Sequence, residues 1–121
     1  MSYDIRIGVK VEGLDVIAVI DEPDHNSPTY NIGDLVRKCT GWDFKQGEWY
    51  RVSDVVPMLM HGLEELTLHS AKYRALGEDY SQTGYVREVL QSILECIAQN
   101  TGDSYWTKWQ QIPAEHLWIA W

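Results

Sequence analysis

Residues 3–20 read YDIRIGVKVEGLDVIAVI, and this stretch decides the predicted fold. Apolar and polar residues alternate through its first half, which is the pattern of a half-buried β-strand. The alternation resumes after Gly13 and continues to Ile20. The stretch therefore predicts an antiparallel β-hairpin with a two-residue turn at Glu12 and Gly13.

The turn length sets the register of this predicted hairpin. It pairs Val11 with Leu14 beside the turn, so that the alternating apolar residues of both strands share one face. Ile17 and Val19 make the second strand apolar on its reverse face as well. We expect that reverse face to be partly covered, either by the neighbourhood of the C-terminal strand or by a second subunit.

Apolar stripes at helical spacing predict three helices after the hairpin. The first stripe runs over residues 32–39, and Asn31 is a candidate N-cap for it. The second runs over residues 55–66, with Ser53 as its candidate N-cap, and the third runs over residues 86–97. Residues 69–83 are polar and suggest irregular structure with at most one helical turn.

Residues 117–121 read LWIAW and predict a further strand added to the hairpin. The expected fold is a single α+β domain over residues 1–121, in the order β-β-α-α-α-β. Its three helices pack on one face of a small antiparallel sheet. Trp118 would then face outward or into an oligomer contact. An exposed final strand would also need protection, which dimerisation would supply.

The chain is acidic, with 10 Lys and Arg against 18 Asp and Glu and a net charge of −8. Such a field repels nucleic acid and anionic membranes, and it favours basic partners or serves solubility alone. No apolar run approaches the ~18 residues that a membrane-spanning helix needs, and no signal peptide is recognisable. We expect the protein to act in the cytoplasm of a bacterial host.

Motifs for catalysis or metal binding are absent from the sequence. Cys39 and Cys96 fall on apolar stripes and are expected to be buried thiols in a reducing compartment. The histidines show no zinc spacing, and no phosphate-binding loop or nucleophile elbow occurs. We expect no catalysis, metal or cofactor, although the carboxylates of residues 21–25 leave a small enzyme open.

Residues 27–51 combine aromatic and basic side chains and are locally positive. Free N–H groups at the helix start could bind an anion, and nearby rings could stack a base. The alternative is that the aromatic side chains fill the core. The candidate ligand-binding residues are Ser27, Thr29, Tyr30, Asn31, Arg37, Trp42, Trp49 and Arg51.

Three motifs carry a resemblance to a known family: SPTYNIGD at residues 27–34, GWD at residues 41–43, and the ending of the chain. They resemble a family of small proteins from phages and mobile elements of Gram-positive bacteria. The resemblance covers most of the chain and implies a setting without a mechanism. In that setting, small non-enzymes often block an immune protein of the host or sequester an immune signal.

These observations predict a non-catalytic counter-defence protein that sequesters a small nucleotide-type immune signal. A second hypothesis is an acidic, anti-CRISPR-like inhibitor that occupies the nucleic-acid site of a host defence protein. A third is a small enzyme that acts on a nucleotide or a sugar. The expected partner is thus a small ligand or a host protein, without direct nucleic-acid or membrane binding, and we expect a homo-oligomer.

Overall fold

The computed structural model describes residues 2–74, 81–102 and 111–121. Two short 3₁₀ turns, Tyr30–Ile32 and Ala114–His116, accompany the main elements. The strands and helices are, in chain order, β1 (Arg6–Lys10), β2 (Ile17–Asp21), α1 (Gly33–Thr40), β3 (Trp49–Arg51), α2 (Val52–Leu68), α3 (Ser70–Arg74), α4 (Ser81–Thr101) and β4 (Leu117–Ala120).

The four strands form one antiparallel sheet in the order β2-β1-β4-β3. This confirms the α+β class and the predicted succession of elements. The C-terminal strand β4 lies between β1 and β3, so it is not the exposed edge that was predicted. The expectation that dimerisation protects this strand therefore loses its basis. Strand β3 was not predicted, because three residues are too few to show a period of two.

The predicted register of the hairpin is wrong by two residues. The Val11 N–H donates to the Val16 carbonyl at 2.8 Å, so Val11 pairs with Val16 and not with Leu14. The loop comprises residues 12–15, with Gly13 at a φ of 79°. Because the shift is an even number of residues, the side chains between the loop and Val19 keep their faces, and the hydrophobic alternation could not reveal the error.

The apolar side chains that were predicted to face the core from the second strand segment do not enter it. Val16 is 55% and Ile20 is 39% exposed, whereas Ile5 and Ile7 of the first strand segment are fully buried. On the reverse face, which was predicted to be partly covered, Val19 is 46% exposed. Among the described residues, β2 has β1 as its one neighbour in the sheet, so it lies at the edge. A register shift opposite Ile7 marks a β-bulge at the end of this strand.

One connected core lies between the sheet and the helices. The three predicted helical stripes are confirmed, with only Leu63 and Leu94 half-buried. Both predicted N-caps are wrong, because α1 and α2 begin without a side-chain cap. The sheet contributes its inward side chains to this core, namely Ile5, Ile7, Leu117, Ile119 and Trp121.

The helix starts show why those N-cap predictions failed. The Asn31 side-chain oxygen accepts a hydrogen bond from the Thr29 hydroxyl, and the 3₁₀ turn places Asn31 before the start of α1. Helix α2 follows β3 directly, so Ser53 lies inside its first turn. Within the described parts of the chain, no helix combines the length and the apolar character needed to cross a membrane.

Candidate functional site

The predicted site residues do not share one pocket. Trp42 lies in the core, where it is 3% exposed and its ring contacts the rings of Phe44, Tyr50 and Trp121 at centroid distances of 5.2 to 5.9 Å. Its ring is therefore not available to a ligand in this structure. Trp42 therefore fills the core, as the alternative for these aromatic side chains predicts.

Arg37 has a structural environment on α1. Its Nε donates to the Phe44 carbonyl at 3.2 Å, and its guanidinium lies 4.2 Å from the centroid of the Phe44 ring. An ion pair with Asp34 at 3.6 Å engages a second nitrogen. Arg37 thus holds the loop after α1 against the helix, and Asp34 in the first turn makes the helix start less favourable for an anion.

The predicted site residues at positions 27–31 form an exposed segment beside the aromatic core. The ring of Tyr30 meets the ring of Tyr3 edge to face at 4.8 Å, and its hydroxyl accepts a hydrogen bond from Gln46 at 2.7 Å. Ser27 donates to the Asn26 side chain at 3.3 Å. These groups therefore shape the surface next to the aromatic core and form no enclosed site.

Trp49 and Arg51 lie elsewhere, on the face of the sheet that points away from the helices. We call this surface the outer sheet face. Strand pairing places Trp49 opposite Ala120 and Arg51 opposite Trp118, while Arg6 of β1 lies on the other side of Ala120. The face is defined by Arg6, Gly8, Lys10, Ile17, Val19, Trp49, Arg51, Trp118 and Ala120.

This face carries two tryptophan–arginine pairs. The guanidinium of Arg6 lies 5.5 Å from the centroid of the Trp49 ring, and that of Arg51 lies 5.3 Å from the Trp118 ring. Both distances fall within the range of cation–π attraction. Both indoles are half-buried. Each pair therefore places a positive charge over one flat aromatic ring at the surface.

Gly8 allows the Trp49 indole to lie across the sheet. A Cβ atom at Gly8 would lie 3.0 Å from Trp49 Cη2 and 2.5 Å from Ile17 Cγ2. Because the Trp49 indole covers this part of the sheet, Ala120 is fully buried although it belongs to the outer sheet face. A glycine between two alternating residues is thus a sequence signal for a bulky neighbour.

The outer sheet face is basic in an acidic protein. Arg6 pairs with Asp4 at 3.6 Å and Lys10 pairs with Asp15 at 3.6 Å, and these carboxylates are exposed. Among the described residues, Arg51 makes no ion pair with a carboxylate. The Arg51 guanidinium is therefore the cation of this face that is most available to an anion.

Asp21, the first carboxylate of the loop at residues 21–25, joins two elements of the fold. Asp21 Oδ2 accepts a hydrogen bond from Asn100 Nδ2 at 2.8 Å and from Cys96 Sγ at 3.4 Å. These bonds join the end of β2 to α4. A small depression of about 130 Å³ lies beside them. The described residues contain no group of three or more His, Cys, Asp or Glu side chains that could hold a metal ion.

The second aromatic cluster in the sequence, at residues 105–109, lies outside the described residues.

Neither the known protein families, nor the curated proteins, nor the solved structures include a match to this chain. The resemblance to proteins of phages and mobile elements therefore stays a prediction.

Proposed function

We propose that this chain is a non-catalytic binding protein that sequesters a small nucleotide-type molecule on its outer sheet face. The observation that supports the proposal is the presence of two tryptophan–arginine pairs on one surface. A nucleotide offers the matching groups, since its base can stack on an indole and its phosphate can pair with a guanidinium.

The energies of these contacts suffice for a specific site. Stacking of one base on an aromatic side chain contributes roughly 1–3 kcal/mol, as judged by alanine substitution. Arginine binds phosphate through a planar fork of donors, which adds direction to the charge attraction. Arg51 can do so without first breaking an ion pair to a carboxylate of the described residues.

The charge of the whole chain favours a small ligand over a long one. At a net charge of −8, the protein repels an extended polyanion that runs beyond the basic face. A small nucleotide can remain on that face. Sequestration of an immune signal requires binding but no catalysis. Such a role agrees with the setting implied by the phage resemblance.

Calorimetry with a panel of cyclic nucleotides and ADP-ribose derivatives tests the proposal. We expect one class of ligand to bind with sub-micromolar affinity and to raise the melting temperature by mass action. Arg51→Glu should weaken this binding strongly, because it replaces a cation of the face with an anion. The matched control is Lys38→Glu, which makes the same charge change at an exposed position on α1. Equal weakening by both variants, or no ligand in the panel, would contradict the proposal.

The net charge supports a second candidate, an acidic inhibitor that occupies the nucleic-acid site of a host defence protein. Exposed charges are screened by salt, so such a complex should weaken steeply as the salt concentration rises. A pull-down from host lysate at low and high salt separates the candidates. A protein partner that stays bound unchanged at high salt would exclude this electrostatic mechanism.

A further inference from the structure

The two tryptophan–arginine pairs occupy separate positions on the outer sheet face. Trp49 lies opposite Ala120, and Trp118 lies opposite Arg51, so the two indoles are diagonal neighbours on β3 and β4. Diagonal positions on adjacent antiparallel strands are about 7–8 Å apart. This separation is about twice the 3.4 Å rise between stacked bases of one strand. The two indoles therefore start from distinct positions on the face, and each has its own arginine.

The two arginines also lie on different strands. Arg6 lies on β1 and Arg51 on β3, with β4 between them. Strands are spaced about 4.8 Å apart, which puts the backbones of these two residues roughly 10 Å apart across the sheet. Each guanidinium lies against a different indole. Each indole therefore has one guanidinium of its own that can pair with a phosphate.

We infer that the ligand of the outer sheet face contains two nucleobases and two phosphates, with one base on each indole and one phosphate at each guanidinium. This inference rests on the function proposed above and specifies the class of ligand. A linear dinucleotide with a 5′-phosphate and a cyclic dinucleotide both have this composition. A mononucleotide fills half of the site.

Joining the two halves of such a ligand has a thermodynamic consequence. Once the first base is bound, the second binds as if it were present at a high effective concentration, without any additional contact. The gain reaches 10² to 10⁴ when the linker spans the two positions. A dinucleotide should therefore bind at least about 100-fold more tightly than the corresponding mononucleotide.

Isothermal titration calorimetry of the full chain with AMP, the linear dinucleotide pApA and cyclic di-AMP tests this inference, and the set is repeated with the other bases. We expect two weakly bound mononucleotides per chain, and one dinucleotide per chain bound about 100-fold more tightly. The preference between the linear and the cyclic compound identifies the source of the ligand.

A variant separates the two halves of the site. Arg51→Ala should reduce the affinity for the dinucleotide to about that of the mononucleotide and leave one mononucleotide bound. Lys38→Ala is the matched control on α1 and should change neither.

If mononucleotide and dinucleotide bind with equal affinity and one per chain, the site takes a single nucleotide. The inference is then overturned while the proposed function stands. If no mononucleotide or dinucleotide of any base and no ADP-ribose derivative binds, the proposed function itself is overturned.

Discussion

Cys39 illustrates how burial decides the chemistry of a single residue. The side chain lies on α1, is fully buried, and directs its sulfur to the Val36 carbonyl at 3.6 Å. Burial raises the pKa of the Cys39 thiol from 9.0 to about 12. Because the thiolate is the reactive form, the folded protein keeps this cysteine inert, in agreement with the sequence-based expectation of a buried thiol.

The raised pKa of Cys39 predicts a pH dependence of stability. Below pH 9 the thiol is protonated in both the folded and the unfolded state, so it does not make the free energy of unfolding depend on pH. Between pH 9 and 12 the unfolded chain releases the proton that the folded chain retains. The free energy of unfolding should therefore fall as the pH rises, by up to about 1.4 kcal/mol per pH unit from this group.

Urea denaturation of the wild type and of Cys39→Ala at several pH values from 8 to about 11 measures this slope. Tyrosine and lysine side chains titrate in the same range, so the difference between the two proteins is the quantity of interest. The variant should lose stability at every pH because of the cavity it creates, and it should fall less steeply above pH 9. Parallel curves would show that burial of this thiol does not couple folding to pH.

Residue identity could indicate a ligand site within residues 27–51, but it could not assign each ring to a surface. Trp42 and Trp49 lie seven positions apart and have the same side chain, yet one fills the core and the other lies on the outer sheet face. The difference arises because Trp49 belongs to β3, where side chains alternate between faces. That strand is visible only through its pairing with β4.

At the scale of elements, the contact between α1 and α2 depends on a glycine. A Cβ atom at Gly62 of α2 would lie 2.5 Å from Thr40 Cγ2 and 3.3 Å from Cys39 Sγ. Thr40 cannot rotate away freely, because its hydroxyl donates to the Val36 carbonyl at 2.6 Å and accepts from the Trp42 N–H at 3.0 Å. The two helices can therefore approach closely only with glycine at this position.

Alanine substitutions at Gly62 and Gly84 should have opposite effects on stability. Both positions lie in helices, where alanine is favoured over glycine by about 1 kcal/mol. Among the described residues, no atom outside the helix's own backbone and the two chain neighbours lies within 4 Å of a Cβ at Gly84, so Gly84→Ala should stabilise the protein by about that amount. At Gly62 the clash with Thr40 should dominate and cost about 1–3 kcal/mol.

Urea denaturation of the two variants measures these changes, with each protein acting as the control for the other. A stabilising Gly62→Ala would mean that α1 and α2 are not packed as closely as described. A destabilising Gly84→Ala would mean that its surroundings are more crowded than described.

The three helical stripes were predictable because each repeats over several turns and depends only on local periodicity. The hairpin was predictable as an element, but its register was not. A shift of two residues preserves the alternation, so no hydrophobic pattern distinguishes a two-residue turn from the four-residue loop observed at positions 12–15. The central place of β4 depends on its pairing with β3, which was not recognised.

At the scale of the whole molecule, the sheet separates the core from the proposed binding surface. The helices cover one face and form the core with it. The outer sheet face keeps its rings and cations at the surface, and it joins three strands that are distant in the sequence. Arg6, Trp49 and Trp118 become neighbours only through this strand order. For that reason the sequence could suggest a nucleotide-type ligand but not its position.

NMR observation of the indole N–H groups provides the most direct test of the outer sheet face as a binding surface. The chain has six tryptophans, and single Trp→Phe variants assign their signals. On titration with the ligand found by calorimetry, the signals of Trp49 and Trp118 should shift. Those of Trp42 and Trp121, which are 3% and 1% exposed in the core, should stay in place. Binding that leaves the Trp49 and Trp118 signals unchanged would contradict the proposed site.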